Sequence, residues 1–133
     1  MYWSEEVDFN NMKLAIVGSR DFNDYDKVIY YVSEYFGLGA DGLFGNYITE
    51  VVSGGANGAD ALGKRLAKEY SIKYTEFPAD WNKHGKAAGP IRNEQIMQYT
   101  DKVIAFWDGQ SKGTMSAINL ARKHKKDTII IYV

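Results

Sequence analysis

Short apolar runs alternate along this chain with longer segments in which apolar residues recur every three or four positions. Runs with the length and β-branched content of buried strands lie at 13–18, 48–52, 72–77, 102–107 and 128–133. The helical spacing predicts helices over 24–36, 59–70, 90–99 and 114–124. Asn23 or Asp24 is the N-cap expected for the first helix. Glycine-rich or polar segments at 37–45 and 80–89 are predicted loops.

This alternation predicts an α/β fold, because each strand–helix–strand unit closes as a right-handed crossover between parallel strands. The strands are apolar on both faces, as expected for a sheet that helices cover on both sides. We therefore expect a Rossmann-like, doubly wound, mainly parallel five-stranded sheet. A chain of 133 residues fits one domain, which we place at 13–133. The extension over 1–12 is left open as an arm or an added sheet edge.

A glycine-rich segment, SGGANG at 53–58, joins the second predicted strand to its helix. Backbone N–H groups and the positive end of the helix dipole converge on such a turn, so it predicts a phosphate-binding loop. Alternatively, the glycines only form a tight turn between strand and helix, which would require one or two of them. Asp60 follows in the first helical turn, either as a partner of the dipole or within reach of a ribose hydroxyl. The candidate ligand-binding residues here are Ser53, Gly54, Gly55, Asn57, Gly58 and Asp60.

Two nucleotide-binding fingerprints come close to this segment. As a dinucleotide motif of the form GxGxxG, it has Ser53 at the first glycine position. Glu76 then ends the next strand about 20 residues on, where an acidic residue would hold a ribose. As a Walker loop, GADALGKR at 58–65 ends in Arg65 instead of serine or threonine and lies inside a helical pattern. The dinucleotide match is weak, and the Walker match is discarded.

Three further segments that follow predicted strands carry polar or cationic side chains, and ligands bind beyond the carboxyl ends of such strands. Arg20 follows the first strand, and Arg92 opens a helix, where a cation opposes the dipole unless an anion binds there. Trp81 is placed to stack on a base or to close the edge of the core. The candidate ligand-binding residues of these segments are Gly18, Ser19, Arg20, Trp81, Lys86, Arg92, Asn93, Asp108, Ser111, Gly113 and Thr114.

Composition narrows the classes of partner and chemistry. No cysteine is present and the two histidines are far apart, so we expect no disulfide framework and no metal site. We also expect no cofactor. A formal net charge of −1 argues against nucleic acid as a partner. No apolar stretch approaches the roughly 18 residues of a membrane span, so we expect a cytoplasmic protein without membrane contact. An aromatic content of 14% fits a tightly filled core or a partner surface, which leaves a homo-oligomer open.

Four motifs in order resemble the SLOG superfamily in its YspA-type branch. They are GSR at 18–20, SGGANGAD at 53–60, ADWNKHGKAAGPIRN at 79–93 and WDGQSKGT at 107–114. The resemblance spans 13–133 and implies a Rossmann-like domain that binds a nucleotide or a nucleotide-derived phosphate ligand. Such a ligand would be NAD-like, ADP-ribose-like or a nucleoside monophosphate. The domain would act as a sensor, as a sponge or as a processing domain for this ligand.

The LOG enzymes of this superfamily hydrolyse the N-glycosidic bond of cytokinin nucleoside 5′-monophosphates, using an arginine and the glutamate of a PGGxGTxxE motif. Here Gly113 and Thr114 match the GT pair, but Ala117 stands at the glutamate position. The resemblance implies an N-glycoside or phosphoribo-hydrolase as the alternative function and leaves open whether the protein is an enzyme. Similarity to the DNA-binding DprA relatives makes single-stranded DNA binding the least favoured interpretation. The candidate catalytic residues are Arg92, Glu94, Asp60 and Asp108.

Overall fold

The computed structural model describes residues 12–38 and 48–133, so the extension over 1–12 and the loop over 37–45 lie largely outside the described residues. The strands are β1 (Lys13–Gly18), β2 (Glu50–Ser53), β3 (Lys73–Glu76), β4 (Lys102–Trp107) and β5 (Asp127–Tyr132). The helices are α1 (Tyr25–Phe36), α2 (Ala59–Glu69), α3 (Trp81–His84), α4 (Ala88–Tyr99) and α5 (Lys112–Lys123). A 3₁₀ turn at Gly85–Ala87 links α3 to α4. Within the described ranges no helix is long and apolar enough to cross a membrane.

All five strands pair in parallel in the order β3-β2-β1-β4-β5. Successive residues of β1 point to opposite faces of the sheet. Leu14 and Ile16 pack into a core with α1 and α2, whereas Ala15 and Val17 pack into a second core with α4 and α5. The predicted doubly wound α/β fold is therefore confirmed.

The winding of the chain reverses between β1 and β4. From β1 the chain adds β2 and β3 on one side and then crosses to β4 and β5 on the other. Connections leave the sheet in opposite directions at such a switch point and open a crevice beyond the carboxyl ends of the strands. The β1 end is tied to β4 there, because the backbone N–H of Ser19 donates to the carbonyl oxygen of Phe106 (2.9 Å). A ligand site is therefore expected at this edge of the sheet, where the carboxyl ends of the strands lie.

Several element bounds differ from the prediction by one or two residues, and one predicted loop is largely helical. β2 begins at Glu50 instead of residue 48, because pairing with Lys13 of β1 starts there. Residues 80–89 are largely helical: Asp80 Oδ1 accepts a hydrogen bond from Lys83 N (3.1 Å) and caps α3. α3 was not predicted because none of its residues is buried, so no apolar periodicity marks it. As a result α4 begins at Ala88, and Pro90 is its third residue, among the positions whose N–H has no intrahelical partner.

Candidate functional site

Two adjacent hollows open at the carboxyl ends of the strands. The first hollow has a volume of about 400 Å³ and the second hollow one of about 300 Å³. The predicted ligand-binding residues that line the first hollow are Gly18, Arg20, Asp60, Arg92, Asn93, Ser111, Gly113 and Thr114. Those that line the second hollow are Arg20, Gly54, Gly55, Asn57, Trp81 and Arg92. The fold thus brings together residues from all four of the motif segments.

The two hollows share a wall formed by Arg20, Ala56 and Arg92. Arg92 is partly buried, and it donates from Nη1 to the carbonyl oxygen of Gly54 (2.8 Å) and from Nε to Oδ1 of Asn93 (2.9 Å). Gly54 has to be glycine for this approach, because a Cβ there would overlap the guanidinium of Arg92. Arg20 is exposed. One fixed cation and one exposed cation therefore face both hollows.

The position of Arg92 in its helix differs from the prediction. The sequence pattern puts Arg92 in a first helical turn, but α4 begins at Ala88, so Arg92 lies in the second turn. The dipole argument for an anion at Arg92 is therefore wrong, because the effect falls off within the first turn. Arg92 is instead held by the carbonyl oxygen of Gly54, and the charge of Asp60 opposes the lowering of its pKa by burial.

Two backbone N–H groups of the loop between β2 and α2 already donate hydrogen bonds within the protein. Oδ2 of Asp60 accepts hydrogen bonds from the backbone N–H groups of Gly54 (3.1 Å) and Ala56 (3.3 Å). The prediction assigns the N–H groups of this loop to a ligand phosphate, whereas the structure pairs two of them with a carboxylate in the first turn of α2. A negative group at a helix N-terminus is favourable, which accounts for this arrangement.

Asp60 is also a titratable group of the first hollow. Its side chain is buried, and burial raises its pKa to about 6. The N–H donors of Ala56 and Gly54 and the charge of Arg92 oppose this rise. Both protonation states are consequently populated close to neutral pH, so the charge of the first hollow depends on pH.

The loop between β4 and α5 is braced by Asp108. Its Oδ1 accepts from the backbone N–H groups of Gln110 (2.8 Å) and Ser111 (2.7 Å), which holds the pKa of Asp108 at about 2. The backbone N–H of Asp108 donates to Oγ of Ser19 (3.1 Å), and Oγ of Ser111 donates to the same atom (3.1 Å). Ser19 is buried and links this loop to the end of β1. Asp108 and Ser19 therefore support the hollows without lining them, whereas Ser111 lines the first hollow.

Four other predicted residues also lie outside both hollows. Ser53 is fully buried with its Oγ 2.6 Å from the hydroxyl of Tyr74, and Gly58 packs against the backbone after β1. Glu94, a catalytic candidate, lies with Oε1 2.8 Å from Nε2 of His124. Lys86 is exposed in the 3₁₀ turn. Of the four catalytic candidates, only Asp60 and Arg92 line a hollow.

Several residues that line the hollows were not predicted from the sequence. Asp21 and Lys112 line the first hollow, and Glu76, which the sequence supports only through a weak motif match, lines the second. Asp21 and Lys112 directly follow the candidates Arg20 and Ser111 in the sequence, and this adjacency could have identified them. Ala117 also lines the first hollow, so a methyl group stands there at the position of the LOG glutamate.

This Rossmann-like domain, with its crevice at the switch point, matches known proteins by sequence. A family model described as "YspA, cpYpsA-related SLOG family" matches residues 12–84. The Gene 61 protein of Mycobacterium phage D29 is 32% identical over 117 residues, which cover 84% of this chain and 89% of the phage protein. The chain therefore belongs to the YspA, cpYpsA-related SLOG family, as the four motifs predicted.

A solved structure is similar in fold. DNA processing protein A from Helicobacter pylori matches 90% of this chain with a TM-score of 0.54 and 20% sequence identity. This chain spans 64% of the length of that protein, whose structure is described by its single-stranded DNA binding mode. The prediction that excluded nucleic acid as a partner is therefore wrong. Net charge sums over the whole chain, whereas Arg20, Arg92 and Lys112 are gathered at one edge of the sheet.

Proposed function

We propose that this protein binds a nucleotide or a nucleotide-derived ligand with a phosphate group against Arg20 and Arg92. The observation that carries the proposal is the wall that both hollows share, because it offers two guanidinium groups to each of them. Guanidinium groups match phosphate oxygens with paired hydrogen bonds. A phosphate at this wall leaves one hollow for each of the two groups that it joins, as in an ADP-ribose-like molecule.

The Arg92 side chain is held by hydrogen bonds within the protein. Its Nη1 and Nε atoms have acceptors at Gly54 and Asn93, and no other acceptor for its guanidinium is found among the described residues. A guanidinium carries five N–H donors, so the Nη2 group is left for a ligand. Binding through a side chain that is already held costs less rotamer entropy than binding through a mobile one.

The second hollow suits the nucleoside part of the ligand. Trp81 lines it with 52% of its surface exposed, and such an indole offers a face on which a base can stack. The first hollow adds Lys112 and the hydroxyl groups of Ser111 and Thr114, which suit a sugar or a second phosphate.

We propose binding without assigning a chemical step. N-glycoside hydrolysis is the alternative function, and the alanine at the LOG glutamate position removes the carboxylate that the resemblance would assign to it. Of the candidate carboxyl groups, that of Asp60 best suits acid–base catalysis, because its pKa of about 6 lies near the operating pH. Recovery of the ligand unchanged after incubation separates a binding protein from a hydrolase.

The first prediction concerns phosphate dependence. We expect ADP-ribose and AMP to raise the melting temperature measured by differential scanning fluorimetry, and adenosine to do much less, because the shared wall recognises the anion. At about 100 times the dissociation constant, the stabilisation should be about 2.7 kcal/mol. Arg20→Ala should weaken nucleotide binding about 10-fold, the loss of one charge-assisted contact.

Arg122→Ala is the matched control for Arg20→Ala. Arg122 is an exposed cation in the last turn of α5, at the opposite end of that helix from the first hollow, and its removal should leave the affinity unchanged. Equal stabilisation by adenosine and AMP, or equal loss in both variants, would overturn the phosphate proposal.

A second candidate is single-stranded DNA binding at the same edge. An exposed tryptophan beside arginines also suits stacked bases and a phosphate backbone, and the Helicobacter pylori neighbour is described by single-stranded DNA binding. Titration with oligothymidylates of increasing length separates the candidates. DNA binding predicts affinity that rises with length and falls steeply with salt, whereas a nucleotide pocket predicts saturation by the mononucleotide.

The second prediction concerns pH. Asp60 is neutral below its pKa of about 6 and negative above it, and in the first hollow the negative form repels an anionic ligand. Affinity for ADP-ribose should therefore be highest near pH 5 and about 10-fold lower near pH 8. ADP-ribose is the suitable probe because its diphosphate diester keeps its charge over this range. In Asp60→Asn calorimetric titration should give a flat profile; a slope equal to that of the wild type would assign the pH effect elsewhere.

A further inference from the structure

We propose that Glu76 selects the sugar of the bound nucleotide by accepting hydrogen bonds from the 2′ and 3′ hydroxyl groups of a ribose in the second hollow. This inference rests on the proposed function and adds to it the class of nucleotide, a ribonucleotide. Glu76 is the last residue of β3 and lines the second hollow together with Gly55 and Trp81.

A chain of hydrogen bonds orients the Glu76 carboxylate. The hydroxyl of Tyr74 donates to Oε1 of Glu76 (3.0 Å), so the phenol oxygen is left to accept from the hydroxyl of Ser53, which lies 2.6 Å away. Ser53 is fully buried at the end of β2, and Tyr74 is partly buried. The carboxylate is therefore held from the interior of the protein, and Oε2 has no hydrogen-bond partner among the described residues.

The carboxylate lies next to the phosphate-binding wall. A Cβ on Gly55 would overlap the carboxylate of Glu76, just as a Cβ on Gly54 would overlap the guanidinium of Arg92. The two charged groups thus lie against consecutive glycines, and both line the second hollow. Within residues 12–38 and 48–133, Glu76 forms no ion pair, so its acceptor capacity is not used by a cation.

The chemistry of an ionised carboxylate limits what can occupy this position. Such a group only accepts hydrogen bonds, and it repels a phosphate, so it favours a neutral group that carries O–H or N–H donors. A ribose cis-diol presents two adjacent donors, whereas a 2′-deoxyribose presents one. The amino group of a base is the other donor of a nucleotide, and a comparison of AMP with purine riboside 5′-monophosphate separates the two.

The test compares dissociation constants of AMP and 2′-deoxy-AMP, together with the other three ribo- and deoxyribonucleotide pairs. The wild-type protein should bind the ribonucleotide about 10- to 100-fold more tightly, the expected value for a hydrogen bond to a charged acceptor. In Glu76→Gln the ratio should fall to within about 3-fold of one, because the amide keeps the size but not the charge. Tyr74→Phe, which frees the carboxylate to turn, should lower the ratio by a smaller factor.

Glu34→Gln is the matched control, because Glu34 is an exposed carboxylate on α1 and its loss should leave the ratio unchanged. Equal wild-type affinity for ribo- and deoxyribonucleotides would overturn sugar selection, and the proposed function would stand if AMP still bound more tightly than adenosine. If AMP bound no better than adenosine, the proposed function itself would fail. If Glu76→Gln instead abolished discrimination between AMP and purine riboside 5′-monophosphate, Glu76 would read the base, and the sugar proposal would be wrong.

Discussion

Replacing Gly58 by alanine should destabilise the folded protein by about 3–5 kcal/mol, the sum of backbone strain and overpacking. Gly58 is the N-cap of α2 with φ 77° and ψ −131°, a conformation that residues with a side chain rarely adopt. A Cβ there would also overlap the carbonyl oxygens of Ser19 and Arg20. The neighbouring backbone cannot withdraw easily, because the N–H of Ala59 donates to the carbonyl oxygen of Ser19 (3.2 Å).

Variants at two other glycines separate the contribution of backbone strain from that of overpacking. Gly109 has φ 82° with open space around it, so Gly109→Ala should cost only the backbone strain, about 1–2 kcal/mol. Gly113 lies in the first turn of α5 with ordinary φ and open space, so Gly113→Ala should be neutral or stabilise by up to about 1 kcal/mol. Urea denaturation of the three variants gives the comparison. An equal cost for Gly58→Ala and Gly109→Ala would mean that the end of β1 is not packed against the start of α2.

Replacing Arg92 by alanine should cost about 3 kcal/mol of stability at pH 7.5, because a buried charge then loses its opposite charge. The carbonyl oxygen of Gly54 loses its Nη1 donor, and Asp60 is left buried without the cation that lowers its pKa. The folded-state pKa of Asp60 already lies above its ordinary value of 3.8, and it should rise further in the variant. The variant should therefore lose stability more steeply than the wild type as the pH rises from about 5 to 8.

Arg20→Ala provides the contrast, since Arg20 is exposed and should change stability by less than about 0.5 kcal/mol. Both variants should lose nucleotide affinity, because both side chains line the shared wall. Denaturation curves at pH 5 and pH 8 and titrations with AMP measure the two quantities independently. A variant Arg92→Ala as stable as the wild type at pH 8 would show that Asp60 does not depend on this cation.

Much of the fold could be predicted because the three inner strands, β1, β2 and β4, are buried on both faces. Such strands appear as continuous apolar runs, and helices of ordinary spacing between them permit only parallel crossovers. Arg20 and the glycine-rich loops could therefore be assigned to one edge of the sheet before any contact was known. The helix α3 escaped prediction because its exposed residues leave no hydrophobic pattern.

By itself, the sequence determined the fold class, the family and the edge of the sheet to which the loops belong, because these follow from local patterns and from chain order. Only the tertiary structure decided what each loop residue contacts. Arg92 and Gly54 are 38 positions apart, and no local pattern indicates that the carbonyl oxygen of Gly54 holds the guanidinium. Glycine in the sequence likewise indicates either a positive φ or a close approach to the backbone, without showing which. That Gly54 admits Arg92, and Gly58 the end of β1, depends on how distant segments pack against each other.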